Sequence, residues 1–184
     1  IGVAYGTLAS FEALAKRAYL KANSAAKRAR EYHMEILGLA PSFNDARLSI
    51  GIYDYALGEI PGFLRFVLGV IGIRGGDTEG GIEQLEYAAE LGDRASAKAK
   101  MVLVVVYSRE EEYDKALAVL KDLHSDYPRN FLLELEQASV YELKEEWDAA
   151  IAVYETVLRK VEAGTDDYDR LDAEPVLFKI GEAN

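Results

Sequence analysis

The sequence predicts an all-α protein, built as an α-solenoid of antiparallel helix pairs. The stretch 103–157 carries one pattern twice at a fixed spacing, so that Tyr107 recurs as Tyr141 and Ala116 as Ala150. Elsewhere, apolar residues recur at spacings of three and four, which is typical of helices with one buried face. A repeat of this kind indicates helix pairs that bury their apolar faces by stacking on neighbouring pairs.

Residues 1–41 are predicted to form a divergent repeat of two helices. The first helix spans 3–19, and the second begins at Asn23 or Ser24, either of which can cap a helix, and ends before Pro41. The apolar stripe of the first helix is predicted to face the core, and it consists of Ala4, Leu8, Phe11, Leu14, Ala15 and Ala18.

Residues 42–92 are predicted to hold one helix and then an atypical, glycine-rich helix pair. The helix spans 42–57 and is capped by Ser42 or Asn44, and its Gly51 lets a partner helix approach closely.

The glycine-rich pair takes the apolar run 61–73 as its first helix and 78–91 as its second. Asp77 or Thr78 caps this second helix, and Gly92 ends it.

Two regular repeats are predicted at 94–128 and 129–163. Their helices lie at 94–108, 112–127, 130–143 and 147–163. The remaining residues, 164–184, form an acidic linker up to residue 172 and a terminal helix that resembles the truncated start of another unit. The whole chain, 1–184, is therefore expected to be a single domain of about four repeats plus this helix.

The pattern that recurs 34 residues later, except at its proline, resembles that of tetratricopeptide repeats, and it consists of Leu103, Val104, Tyr107, Tyr113, Ala116, Leu120 and Pro128. The stretch 51–92, with its Ile-Arg-Gly-Gly-Asp segment, is similar to two further groups. One is uncharacterised bacterial tetratricopeptide proteins, often exported; the other is a eukaryotic family linked to mitochondrial outer membranes and lipid droplets. The first similarity favours export, and the cytoplasm stays open.

The tetratricopeptide resemblance implies a non-enzymatic scaffold that binds a peptide or a partner helix in a concave groove lined by the first helices. Carried onto this sequence, the groove residues are Asp45, Leu48, Ile52, Tyr55, Lys98, Met101, Val105, Ser108, Arg109, Leu132, Leu135, Ser139, Glu142 and Leu143. The asparagines with which some relatives hold a C-terminal carboxylate are replaced by Val102 and Glu136, so binding of that type is not expected.

The apolar segment 60–73 suggests an alternative function, a self-associating or membrane-peripheral structural protein. Its apolar side chains could be core, a homodimer contact or a membrane-surface contact, and they are Phe63, Leu64, Phe66, Val67, Val70 and Ile71. The run is too short to cross a bilayer, which takes about 20 residues.

The charge of −11 is uneven along the chain. Residues 1–47 carry seven lysines and arginines against four acidic residues, and the remainder carries fourteen against twenty-eight. The acidic remainder disfavours nucleic acid as a partner. The basic cluster is interpreted as a solvated helix face, with contact to anionic lipid or acidic peptide as the alternative; it consists of Lys16, Arg17, Lys21, Lys27, Arg28 and Arg30.

No catalytic residue, cofactor or metal is predicted. The chain has no cysteine, and neither His33 nor His124 has a partner at metal-ligand spacing. Both histidines are expected to be packing or surface residues.

Overall fold

The computed structural model describes residues 1–61, 76–165 and 167–183. These residues form nine α-helices and no strand, which confirms the all-α class. The helices are α1 Gly2–Leu14, α2 Tyr19–Leu39, α3 Arg47–Gly58, α4 Thr78–Leu91, α5 Ser96–Arg109, α6 Tyr113–Asp126, α7 Phe131–Leu143, α8 Trp147–Glu162 and α9 Ala173–Ala183.

The chain divides into two compact units. Unit 1 is Ile1–Val102 and unit 2 is Leu103–Asn184, so the division falls within α5. The single domain expected from the sequence stays a prediction.

The first helix is shorter than its apolar pattern predicts, and α2 begins earlier. After Leu14 the chain turns through Arg17, whose φ of 51° is left-handed, and the Ala18 N–H donates to the Glu12 carbonyl at 2.8 Å. Left-handed backbone cannot continue a right-handed helix, so α1 ends at Leu14 instead of residue 19.

The predicted core face of α1 is wrong. Its large members are exposed: Leu8 by 43%, Phe11 by 51% and Leu14 by 83%. The face that packs on α2 is set by Gly2, where an added Cβ would lie 2.5 Å from His33 Nε2, and by Tyr5, which stacks on Tyr32 with ring centroids 5.7 Å apart. A close helix approach at small residues therefore overrides the apolar stripe.

A 3₁₀ turn, Asn44–Ala46, precedes α3 and replaces the predicted helix start. No side chain caps this turn. Instead, Asn44 Oδ1 accepts from Arg47 Nε at 3.0 Å, and Asn44 Nδ2 donates to the Leu91 carbonyl at 3.3 Å. In contrast, Asp77 does cap α4, since its Oδ1 accepts from the Gly80 N–H at 3.0 Å.

Helices α3 and α4 pack directly on each other through two glycines. A Cβ added at Gly51 would lie 2.7 Å from the Gly81 carbonyl oxygen, and one at Gly81 would lie 2.4 Å from Tyr55 N. Gly51 thus permits the predicted close approach. The partner helix is α4, however, which the sequence interpretation pairs with the run 61–73.

In unit 2, α7 packs on both α6 and α8, and α8 packs on α9. The core cluster consists of Ala138, Ala150, Tyr154, Val157, Tyr168 and Val176. Two equivalent turns carry left-handed glutamates, Glu111 and Glu145, each with a φ of 61°. After each, an N–H closes the preceding helix, with Glu112 donating to the Tyr107 carbonyl at 2.8 Å and Glu146 to that of Tyr141 at 2.9 Å. The sequence repeat is therefore also a repeat of backbone geometry.

The stretch 164–172, predicted as an acidic linker, contributes to the core of unit 2. It contains the 3₁₀ turn Tyr168–Arg170, and Tyr168 is fully buried against Phe131, with ring centroids 6.0 Å apart. The apolar ring is buried, and its hydroxyl is hydrogen-bonded to Glu134 and Lys160.

Candidate partner-binding surfaces

The residues predicted to line a groove lie on or next to three first helices, α3, α5 and α7. Ile52, Lys98, Met101, Val105, Arg109, Leu132 and Leu143 are exposed. Asp45, Leu48, Ser108, Leu135, Ser139 and Glu142 are half-buried, and Tyr55 is buried. The exposed members offer mainly apolar surface.

Asp45 and Tyr55 serve the packing of unit 1. Asp45 Oδ1 accepts from the backbone N–H groups of Arg94 at 3.0 Å and Ala95 at 3.1 Å. Those N–H groups precede α5, so Asp45 satisfies donors near the start of that helix. Tyr55 lies against Gly81, at the α3–α4 contact.

Glu142 joins three helices of unit 2. Its Oε1 accepts from the Tyr154 hydroxyl of α8 at 3.1 Å, and its Oε2 lies 3.4 Å from Lys179 Nζ of α9. Burial, together with the nearby Glu142 charge, raises the pKa of Tyr154 to about 12. A carboxylate bound in this way positions helices and has little capacity left for a partner.

The two predicted serines and Leu135 also make contacts within the protein. Ser108 donates to the Val104 carbonyl at 2.8 Å, and Ser139 donates to the Leu135 carbonyl at 3.1 Å, each one turn back in its own helix. Leu135 packs against the unit 2 core cluster. In unit 2, the predicted residues with the most apolar surface to offer are therefore Leu132, Leu143 and Val105, which are 59%, 55% and 52% exposed.

Unit 1 contains an apolar cleft of about 410 Å³ between α1, α2 and α3. Its walls are mostly alanine and glycine, including Gly6, Ala9, Ala13, Ala22, Ala26 and Ala56, and its larger side chains are Leu14, Ile52, Tyr53 and Leu57. The cleft exists because the facing side chains of three helices are too small to fill the space between them.

Sequence reasoning placed Ile52 at this site and missed the cleft. The available signal was the coincidence of small residues on consecutive helices, Gly6 to Ala13 on one and Ala22 to Ala29 on the next. The polar groups at the cleft, from Ser10, Asn23 and Ser49, are few and uncharged. Such a lining suits an apolar side chain of a guest.

A second cavity, of about 430 Å³, lies in unit 2 beside the turn 126–131. It is polar. Asp167 stands between two arginines there, 3.6 Å from Arg129 Nε and 3.8 Å from Arg170 Nη2. Asp126 also lines the cavity, so two carboxylates balance the two arginines and the cavity offers no concentrated positive potential to an anion.

A charged cluster between α7, α8 and the turn at Tyr168 completes the interior of unit 2. Lys160 Nζ donates to Glu134 Oε1 at 2.5 Å, and the Tyr168 hydroxyl donates to Glu134 Oε2 at 2.8 Å. Burial opposes the charge of Lys160, but the hydrogen bonds to Glu134 and Tyr168 prevail and raise its pKa. Because the charges satisfy each other, the cluster is structural.

The two histidines occupy different environments. His33 is buried with its Nδ1 against Ser49 Oγ, and burial, followed by the positive amino terminus of Ile1, lowers its pKa. His124 Nε2 lies 3.8 Å from Glu134 Oε1. Over the described ranges, no group of three or more metal-ligating side chains is close enough to hold an ion.

Residues 62–73 of the apolar segment named as an alternative contact lie outside the described residues. Phe63, Leu64, Phe66, Val67, Val70 and Ile71 all belong to it, and their role stays a prediction. Within the part of the chain that the structure describes, no helix combines the length and apolarity that crossing a bilayer requires.

Comparison with known proteins identifies one repeat directly. Residues 133–172 match the family model described as tetratricopeptide repeat. Among solved structures, one titled MamA AMB-1 is 20% identical, covers 98% of this chain and 90% of its own, and superposes with a TM-score of 0.49. A MamA mutant is also 20% identical, with coverage of 100% and 97% and a TM-score of 0.48. No curated protein matches the chain.

The matched residues 133–172 include most of α7, all of α8 and the turn with the buried Tyr168. They coincide with the second copy of the repeated sequence pattern, and the first copy has the same turn geometry. Residues 133–172 therefore form a tetratricopeptide repeat.

Proposed function

We propose that this protein is a non-enzymatic scaffold that binds a peptide or a partner helix on the apolar surface of its first helices. Tetratricopeptide repeats are commonly used for binding other proteins, which supports the general role. The specific surface is our inference from the unit 1 cleft and from the exposed Val105 and Leu132.

The cleft between α1, α2 and α3 carries this proposal. At about 410 Å³ it has the size of a site for one or two large side chains, and Ile52 at its edge is exposed. An amphipathic helix binds grooves by inserting apolar residues spaced three or four apart. We expect the guest to insert one such residue into the cleft.

In unit 2, the corresponding contact would use Val105 and Leu132. Both side chains are apolar and more than half exposed, and neither belongs to the unit 2 core cluster. A guest that covers them removes apolar surface from water, at roughly 25 cal/mol for each Å² buried.

The test is selection of amphipathic helical peptides from a displayed library against the purified chain, followed by titration. Ala56 lines the cleft and is itself exposed, so Ala56→Trp should fill the opening without disturbing the core. We expect this variant to weaken binding of the selected peptides at least about tenfold, a loss typical of a blocked anchor pocket. The matched control is Ala152→Trp, at an exposed alanine on the second helix α8.

A second pair of variants addresses unit 2. Val105→Asp with Leu132→Asp places charges where we expect an apolar contact, and Leu91→Asp is the control because Leu91 is 53% exposed against 59% for Leu132. Leu135 is unsuitable for this purpose because it packs on the core. Binding that survives both Ala56→Trp and the Val105 and Leu132 changes would refute the proposed surface.

A further inference from the structure

Helix α1 presents an apolar face that α2 leaves uncovered. Val3, Leu8, Phe11 and Leu14 lie within one exposed arc of the helix, and we call them the α1 patch. Monomeric proteins seldom leave such a contiguous set of large apolar side chains in water, so the patch indicates a contact surface.

The α1 patch has a basic border. Lys16 Nζ lies 5.0 Å from the centre of the Phe11 ring, and Arg17 and Lys21 follow as exposed residues. Lys16 is also bonded to Glu12 Oε1 at 3.0 Å, while Arg17 and Lys21 have no ion pair with a described residue. The patch therefore favours a partner that is apolar at its centre and acidic at its edge.

Helix α9 has such a surface. Val176 and Ile180 face the unit 2 core, which leaves Leu177, Phe178, Glu174 and Glu182 on the opposite, exposed side. We call these four exposed residues the α9 patch.

The α9 patch is open to a close approach by another helix. Gly181 lies on the same side, and an added Cβ there would meet no atom within 4 Å. Glu174 and Glu182 stand at opposite ends of the patch, so a carboxylate can reach the basic border of α1 in either helix direction. Lys179, 3.5 Å from Glu182 and 3.4 Å from Glu142, is the positive charge nearby.

We propose that the chain self-assembles head to tail, with the α1 patch of one copy bound to the α9 patch of the next. Pairing α1 with α1 would bring Lys16, Arg17 and Lys21 together, and pairing α9 with α9 would bring carboxylates together, so like patches repel. The unlike pair joins apolar surface to apolar surface and opposite charges to each other. This proposal does not rest on the groove function, although the two surfaces share Leu14, which also lines the unit 1 cleft.

After the first pairing of two different patches, one α1 patch and one α9 patch are still free. Assembly therefore continues to open oligomers or closes into a ring of two or more copies. We expect the average mass in light scattering to rise with protein concentration above that of one chain. A mass of one chain at every concentration would overturn the proposal.

Single-patch variants give the decisive measurement. Phe11→Asp with Leu14→Asp removes the α1 patch, and Leu177→Asp with Phe178→Asp removes the α9 patch; each should weaken assembly at least about 30-fold, as expected for anchor residues of an interface. When the two variants are mixed, their intact patches should pair, and the mixture should form dimers of one copy each. Leu39→Asp is the control, because Leu39 is 82% exposed and lies outside both patches.

The charges can be tested separately. Lys16→Glu with Arg17→Glu should weaken assembly about fivefold, in line with the small energies of exposed ion pairs. Mixing this variant with a second variant that carries Glu174→Lys and Glu182→Lys should restore the contact, because the charges of the two patches are then exchanged. Absence of both effects, with no change in salt dependence, would overturn the assigned polarity of the contact.

Cysteine trapping provides a readout that does not depend on disrupting the patches. Because the chain has no cysteine, Leu14→Cys and Phe178→Cys each introduce a single thiol. Under mild oxidation the mixture should form the mixed disulfide faster than either variant alone forms its own. Equal rates would refute the pairing. A vesicle test distinguishes a membrane from a second copy. The pairing would also be refuted if the wild type stayed a single chain in solution but bound anionic phospholipid vesicles, and if Phe11→Asp with Leu14→Asp abolished that binding. A membrane would then be the occupant of the α1 patch.

Discussion

Unit 1 and unit 2 each pack a first helix on a second helix through two small residues, but they use different ones. In unit 2 these are Ala138 and Ala150, both fully buried, on helices joined by a short turn. In unit 1 they are Gly51 and Gly81, on helices with the whole stretch 59–77 between them. The helix contact therefore persists across a much longer connection, because the packed surfaces and not the connection determine it.

The closeness of the two contacts differs as well. In unit 1 there is no room for a methyl group at either glycine, whereas unit 2 accommodates two. The small residue that such a position tolerates, glycine or alanine, therefore differs between the two helix pairs.

The largest effect is expected from Gly81→Ala. The added methyl group would lie 2.4 Å from Tyr55 N and 2.9 Å from Tyr55 Cα, and backbone atoms cannot move aside as a side chain can. We expect the free energy of unfolding of unit 1 to fall by about 3 kcal/mol, measured by urea titration with circular dichroism. The control is Gly6→Ala in α1, where no atom lies within 4 Å; this change should stabilise by up to about 1 kcal/mol. Equal effects at both positions would contradict the close α3–α4 contact.

Unit 2 should be the more sensitive unit at alkaline pH. The unfolded chain releases the Tyr154 proton near pH 10, whereas the folded chain holds it to about pH 12. The contribution of Tyr154 to the free energy of unfolding is therefore complete below pH 10 and falls by about 1.4 kcal/mol per pH unit between pH 10 and 12.

Tyr154→Phe should flatten this decline. Fluorescence of Trp147, the one tryptophan of the sequence, reports the unfolding of unit 2. Tyr127→Phe, at a half-exposed tyrosine of the same unit, should leave the slope unchanged. An unaltered slope in Tyr154→Phe would show that the Tyr154 contact with Glu142 is not the cause.

A smaller gain is expected from glycine at the two left-handed turns of the regular repeats. Glu111→Gly and Glu145→Gly should each stabilise by about 1 kcal/mol, because glycine adopts a φ of 61° without the steric penalty of a Cβ. The matched change is Gly164→Ala, where glycine already occupies the same conformation with a φ of 62°, and it should destabilise by a similar amount. Thermal unfolding of the three variants provides the measurement, and a loss of stability in both glycine variants would contradict it.

The smallest expected effect is the loss of stability at acid pH, which we compare at one histidine of each unit. His33 has a lowered pKa in the folded chain, so its contribution is complete above pH 6.5, the value of an unburied histidine, and is lost as the pH falls. His33→Gln should reduce the loss of unit 1 helicity between pH 6.5 and 4, followed by circular dichroism. His124→Gln in unit 2 is the comparison, and identical acid profiles for His33→Gln and the wild type would exclude His33 as the cause.

The sequence predicted the regular part of the fold well because that part rests on local signals. The cap at Asp77 and the turns after α5 and α7 involve residues close in the chain, and their positions agree with the structure to within a few residues. Of the predicted groove residues, Ile52, Val105 and Leu132 are exposed, and the groove itself stays a prediction.

It failed where a residue's role depends on a distant partner. Asp45 was expected in the groove, but its carboxylate binds N–H groups 49 and 50 residues away. Tyr168 was expected in a linker, but its hydroxyl binds Glu134, 34 residues earlier. Nothing in the local pattern distinguishes these residues from exposed ones.

By itself, the sequence determined the all-α class, the order of the helices and the repeated pattern within 103–157, since backbone hydrogen bonding and helix ends depend on nearby residues. Only the tertiary structure decided which face of α1 is covered, that α3 packs on α4, and that Tyr168 enters the core. These outcomes depend on the shapes of surfaces that meet across long stretches of chain. Gly2 and Gly81 have no Cβ, so a neighbouring helix can approach closely, and on α1 this contact outweighs the burial of the apolar stripe.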